Sequence, residues 1–193
     1  MSSLDQRLDE LQNDLLATPM KIGAYADLPF ALLQYEPNQE WAMRRGVGLL
    51  VNRLNAAGKN VHFISVAELL WQSAERIEGV ESLFRLEKKR GFDMAQEQFL
   101  TYLSDEELES TLPQLLAERL SLLDPVHDIA FLVRTAAMAP AIYHASTLLD
   151  SMKGRSAVPT ILFYPGTTDG SDLLFMELKN RHTSRNYRVK LYS

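Results

Sequence analysis

The chain contains no cysteine. That excludes a disulfide framework, a thiolate zinc site and a cysteine nucleophile. Excess positive charge is missing too: 20 Lys and Arg face 25 Asp and Glu, a net −5 over 193 residues. The overall basic footprint of a nucleic-acid-binding protein is therefore absent. No apolar window approaches the roughly 18 residues that span a bilayer; the most apolar stretch, residues 128–143, contains Arg134 and Pro140. The opening SSLDQRLDELQNDLL lacks the basic and apolar regions of a secretion signal. Repeats and low-complexity tracts are absent as well. With 46% hydrophobic and 23% charged residues, the composition is that of a globular domain, and the expected location is cytoplasmic.

What is present is an alternation of helix and strand signals. Ser3 with Gln6 forms a capping-box pattern, and Leu4, Leu8, Leu11 and Leu15 form one apolar stripe, which predicts a helix over about residues 3–17. Residues 30–35, 61–66, 128–133 and 160–164 read as buried strands, 173–176 as a short fifth and 187–192 as an edge strand. Asn38 is expected to cap a helix that buries Trp41, Leu49, Leu50 and Leu54 and ends at Gly58. Helices are predicted over 67–76, 83–89, 92–103, from Ser104 toward Leu112, and over 113–122. A further helix spans 141–152 with Pro140 near its first turn, and Pro165-Gly166 should stop the fourth strand. Unbroken apolar strands alternating with helices predict an α/β chain. The expected form is a mainly parallel, Rossmann-like three-layer sheet in one domain, 1–193, with a helical insertion at about 67–123 between strands 2 and 3.

In such sheets ligands sit beyond the carboxyl ends of the strands. That places Ser65, Arg134 and residues 165–172 on the candidate edge. No G-x-x-x-x-G-K-[ST] loop occurs, and Gly46-Val47-Gly48 falls inside a helix, so the phosphate cradles of nucleotide sites are missing. Ser65 lacks the glycines of a G-x-S-x-G elbow. Asp124-Pro125-Val126-His127-Asp128 has metal-binding donors but lies at the amino end of the third strand, where a capped turn accounts for it. His62 and His144 read as packing or surface residues. Glu177-Leu178-Lys179 with Asp172 upstream matches the E-x-K of metal-dependent nucleases, yet only five residues separate Asp172 from Glu177. No catalytic residue, cofactor or metal ligand is assigned, and Asp172, Glu177 and Lys179 stand as the enzyme alternative.

Charge is unevenly spread. Residues 151–193 carry seven basic and three acidic side chains, a net +4, which leaves −9 over 1–150. Residues 97–124 alone hold seven carboxylates and one arginine. Two surfaces are candidates for partner binding: the stripe Leu4, Leu8, Leu11, Leu15, and the basic segment with Arg181, Arg185, Tyr187, Arg188 and Lys190. The plainer alternatives are leucines packed on their own domain and charged faces that neutralise each other. Basic residues interleaved with an aromatic also suit phosphates, so a nucleic-acid-binding module is a third reading.

The run Val158-Pro159-Thr160-Ile161-Leu162-Phe163-Tyr164-Pro165-Gly166, then Leu173–Met176, then Asn186-Tyr187-Arg188 before a terminal strand, resembles the BrxB family of bacteriophage exclusion (BREX) defence systems. Phe131-Leu132-Val133-Arg134 leading into Met138-Ala139-Pro140, the opening helix and Leu28–Tyr35 are similar as well. The likeness covers nearly the whole chain. It implies a non-catalytic accessory or scaffold subunit of an antiviral complex. Its partners would be a PglZ-like phosphatase-fold protein, a PglX-like methyltransferase and a large ATPase, acting in host DNA methylation and phage exclusion. Contact with DNA would be indirect or weak. The resemblance carries over no catalytic residue.

Overall fold

The structure is a computed structural model that describes residues 3–23, 28–105, 107–138, 143–169, 172–175 and 189–193. The strands are β1 (Phe30–Tyr35), β2 (Asn60–Ser65), β3 (Asp128–Val133), β4 (Thr160–Asp169), β5 (Asp172–Phe175) and β6 (Lys190–Tyr192). The helices are α1 (Leu4–Leu16), α2 (Glu40–Ala56), α3 (Val66–Ile77), α4 (Val80–Arg90), α5 (Phe92–Ser104), α6 (Leu112–Leu120) and α7 (Ala145–Ser151). Five strands form one sheet in the order β2-β3-β4-β1-β6, and every neighbouring pair in it is parallel. β5 folds back antiparallel onto the far half of β4. The α/β class and the Rossmann-like parallel sheet are as expected.

Alternation along each strand divides the core into two layers. Ala31, Leu33, Ile129, Phe131, Ile161 and Phe163 point to one face, where α1 and α2 cover them with Leu4, Leu8, Leu11, Leu15, Val47, Leu50 and Leu54. Phe30, Leu32, Leu132 and Leu162 point to the other, beneath α3, α6 and α7. α4 and α5 pack outward of α3 around a smaller cluster of Ala74, Leu83 and Tyr102. Among the described residues no helix is long and apolar enough to cross a membrane.

The capping box at Ser3 and Gln6 forms, and α1 starts where it was predicted. Several expectations need correction. The stripe Leu4, Leu8, Leu11 and Leu15 is core, not a partner surface: all four side chains are buried within the chain. Leu8 fits there because Gly46 of α2 has no side chain; a Cβ at Gly46 would lie 2.4 Å from Leu8 Cδ1. On α2 the buried positions are Met43, Val47, Leu50 and Leu54, so Trp41 and Leu49 fall outside that stripe and stand exposed. A 3-10 turn at Pro37–Gln39 precedes α2, and Asn38 lies inside it rather than at the cap. No helix opens at Ser104. Its hydroxyl donates to the Leu100 carbonyl within α5, and the next capping box forms at Thr111 and Gln114. α7 begins at Ala145, not 141; Pro140 lies outside the described residues. β4 runs through Pro165-Gly166, because from Gly166 onward it exchanges β1 for an antiparallel partner, β5.

Leu11 is fully buried between α2 and the sheet. Leu11→Ala should lower unfolding stability by about 2–5 kcal/mol through lost apolar transfer and the cavity left behind. Denaturant titration followed by circular dichroism checks this.

Candidate functional site at the carboxyl edge of the sheet

All five strands of the main sheet end on one edge, at Tyr35, Ser65, Val133, Tyr192 and the Pro165 region of β4. After β1 the chain crosses on the α2 face; after β2 and β3 it crosses on the opposite face. The neighbouring strands β4 and β1 lie in the middle of this edge, and open α/β sheets hold ligands beyond the carboxyl ends of their strands.

Among the described residues the ends of β4 and β1 are bonded to each other and to α1. Gln34 Nε2 donates to the Gly166 carbonyl at 3.0 Å. Arg7 reaches in from α1, its Nη1 donating to the Gln34 carbonyl at 2.5 Å. Beside them Thr135 Oγ1 donates to the Phe163 carbonyl. Burial pulls the Arg7 guanidinium below its ordinary pKa, with the Glu36 carboxylate opposing. Gln34 Oε1 is buried without a hydrogen-bond partner among the described residues. The signal for Arg7 was its spacing: three residues after Leu4 and four before Leu11, it sits in the buried stripe. The signal for Gln34 was a polar residue in an otherwise apolar strand.

A small cavity of about 260 Å³ lies between α2, β2 and β3. Met43, Val47, Phe63 and Val133 give it an apolar lining, with Arg44 and Arg134 also at its wall. Arg44 Nε donates to Glu40 Oε1 at 2.7 Å and its guanidinium lies 5.2 Å from the Trp41 ring. Glu40 also accepts from the Tyr35 hydroxyl, whose pKa is raised by burial and by that carboxylate. Arg134 follows β3 in the left-handed backbone region, φ 56°, and pairs with Glu68 at 3.1 Å. Ser65 caps α3 by accepting from the Glu68 N–H. The cavity is smaller than the roughly 300–1,000 Å³ of small-molecule sites and suits a single inserted side chain.

Among the described residues no group of three or more His, Asp or Glu is placed to hold a metal ion. Asp124 bonds His127 at 2.6 Å and the Val126 N–H at 3.0 Å. Asp128 accepts from Asn60 and from the Asp124 N–H. The cluster is a capped turn at the amino edge, as its position suggested. Asp172 belongs to β5; Glu177 and Lys179 lie outside the described residues, as do Arg181, Arg185, Tyr187 and Arg188. Lys190 is described, and it is engaged within the chain: its Nζ lies 2.5 Å from Asp14 Oδ2 and donates to the Lys21 carbonyl at 3.1 Å.

The family model described as BREX protein BrxB matches residues 62–190. The chain belongs to the BrxB family. Membership implies a component of a BREX phage-exclusion system. A BREX protein BrxB of Bacillus cereus (strain H3081.97) is 24% identical over 196 residues, which cover 98% of each chain. No solved structure matches. The BrxB match begins inside β2 and ends inside β6, so it takes in Phe63, Val133 and Arg134 of the cavity but not α2.

Outside that match, Asp14 of α1 also accepts from the Tyr192 hydroxyl at 2.7 Å. Burial works against its charge, but bonds from Lys190 and Tyr192 and the charges of Lys190 and Lys21 outweigh it, so its pKa lies below the ordinary carboxylate value. A lowered folded pKa adds stability that is present above the unfolded value and lost as pH falls through the folded one. Urea midpoints should therefore drop as pH falls below about 4, and Asp14→Asn should flatten that drop while lowering the midpoint at neutral pH.

Proposed function

We propose that the chain is a non-catalytic accessory subunit of a BREX-type defence complex, working in the cytoplasm as a scaffold for host DNA methylation and phage exclusion. The PglZ-like phosphatase-fold protein is its direct partner, with the PglX-like methyltransferase and the large ATPase in the same assembly. One observation carries the reading. At the carboxyl edge of the sheet Arg7, Gln34 and Gly166 tie the ends of β1 and β4 to each other and to α1, while large apolar side chains stand exposed alongside. Trp41 is 71% exposed and Phe63 is 55% exposed, and Phe63 rests edge-on against the core ring of Phe131 at 5.9 Å. Such rigid aromatics beside a pocket of side-chain size are the usual anchors of a protein interface. Family membership supports the BREX setting.

The test is co-elution of the purified chain with a PglZ-like protein. Phe63→Asp combined with Trp41→Ala should weaken that complex at least tenfold, about 1.4 kcal/mol or more, with the circular-dichroism spectrum unchanged. Failure of the wild type to co-elute with any of the three partner proteins rejects the scaffold role. A complex unaffected by the double substitution rejects this face.

A further inference from the structure

The hairpin of α4 and α5 has its own surface, remote from the cavity. Arg85, Lys88, Lys89 and Arg90 of α4 are all exposed. None of them makes an ion pair or hydrogen bond among the described residues, although Glu81 and Glu87 share the helix. Basic residues in a last turn oppose the helix dipole, which accounts for some of this charge. It does not account for Phe84, 52% exposed, or Phe92, 63% exposed. Phe84 and Lys88 are four residues apart. Arg85 lies three residues from Lys88 and four from Lys89, so these side chains share one face of the helix. The opposite face carries Leu83 into the cluster with Ala74 and Tyr102. Gly91, at φ 91° in the region that glycine adopts readily, turns the chain, and Phe92 opens α5 just beyond it. Two exposed phenylalanine rings thus flank a row of unpaired cations.

We propose that this hairpin binds single-stranded nucleic acid, with the four cations on phosphates and Phe84 and Phe92 stacked on bases. Lysine is depleted at protein–protein interfaces, whereas phosphates take lysine as well as arginine. Stacking on an exposed ring needs unpaired bases and tolerates any sequence, which favours a single strand over a duplex. The net charge of −5 is screened within roughly 10 Å at 0.1 M salt, so at that ionic strength the local cations govern the contact. The site is independent of the scaffold face and of any partner protein.

Fluorescence anisotropy of a labelled oligothymidine of about 20 nucleotides, titrated with the full chain, tests the assignment. Binding is expected at about 20 mM salt. For four phosphate contacts on a single strand, log K should fall with log salt at a slope of about −2.8. Lys88→Glu with Lys89→Glu should weaken binding at least tenfold and make the slope shallower. Phe84→Ala with Phe92→Ala should weaken binding and leave the slope unchanged. All four positions are exposed, and thermal melting verifies that each variant is folded. No binding at low salt, or charge-reversed affinity within twofold of wild type, overturns the proposal. So does equally tight binding of a duplex. If the charge reversal instead releases a co-eluting protein and the oligonucleotide never binds, the hairpin is a docking face for an acidic protein and the nucleic-acid assignment is wrong.

Discussion

The rest of the molecule is built around β1. Its six residues are all buried, and it lies between β4, with six paired positions, and β6, with three. Its side chains alternate into the two core layers: Phe30 and Leu32 enter one, Ala31, Leu33 and Tyr35 the other. A slip of one residue would exchange those sets and leave both layers misfilled, so the register is strongly specified. β1 also gathers the two ends of the chain. Arg7 of α1 binds the carbonyl of Gln34, and β6, paired to β1, is tied back to α1 by Lys190 and Tyr192 at Asp14. Opening helix, first strand and last strand therefore form one connected unit on which α2 is packed.

The polarity of charge along the chain is partly resolved inside this unit. Lys190 meets Asp14, and Arg53 of α2 meets Asp9 and Gln12 of α1. The pairs that border the cavity have another character. Arg44 with Glu40 and Arg134 with Glu68 are largely open to solvent, and pairs of that kind contribute about 0–1 kcal/mol. Under the proposed scaffold role, a partner's carboxylate could replace the internal one at little cost. A ring such as Phe63 supplies the apolar contact at the same point. This combination suits a surface that must stay soluble alone and still bind.

Much of the fold was legible because its elements are locally consistent. The capping box at Ser3 marks a real helix start, and β1 and β3 have the boundaries their apolar runs suggest. Errors arose where tertiary contacts outrank local pattern. Trp41 and Leu49 read as buried because they are large and apolar, but the stripe facing the sheet belongs to Met43, Val47, Leu50 and Leu54. Pro165 read as a strand end because it lacks an N–H, yet β4 continues once β5 supplies a new ladder. The leucine stripe of α1 was correct as a pattern, and the pattern could not say whether its cover was another chain or α2. The tie between the ends of β1 and β4 was the least visible feature, because it depends on Gln34 and Gly166 meeting across 132 positions of sequence.

The proposed scaffold role calls for at least two surfaces that do not compete, and the two proposed surfaces lie on opposite sides of the sheet. Trp41 is carried on α2, on the α1 side of the sheet, and the cavity with Phe63 opens beside it at the β2 end. The α4–α5 hairpin projects from α3, which covers the other side. The sheet itself stands between the two, its central strands β3, β4 and β1 packed on both faces. Occupying one surface therefore leaves the other open, and the rigid core fixes the geometry between whatever each one holds.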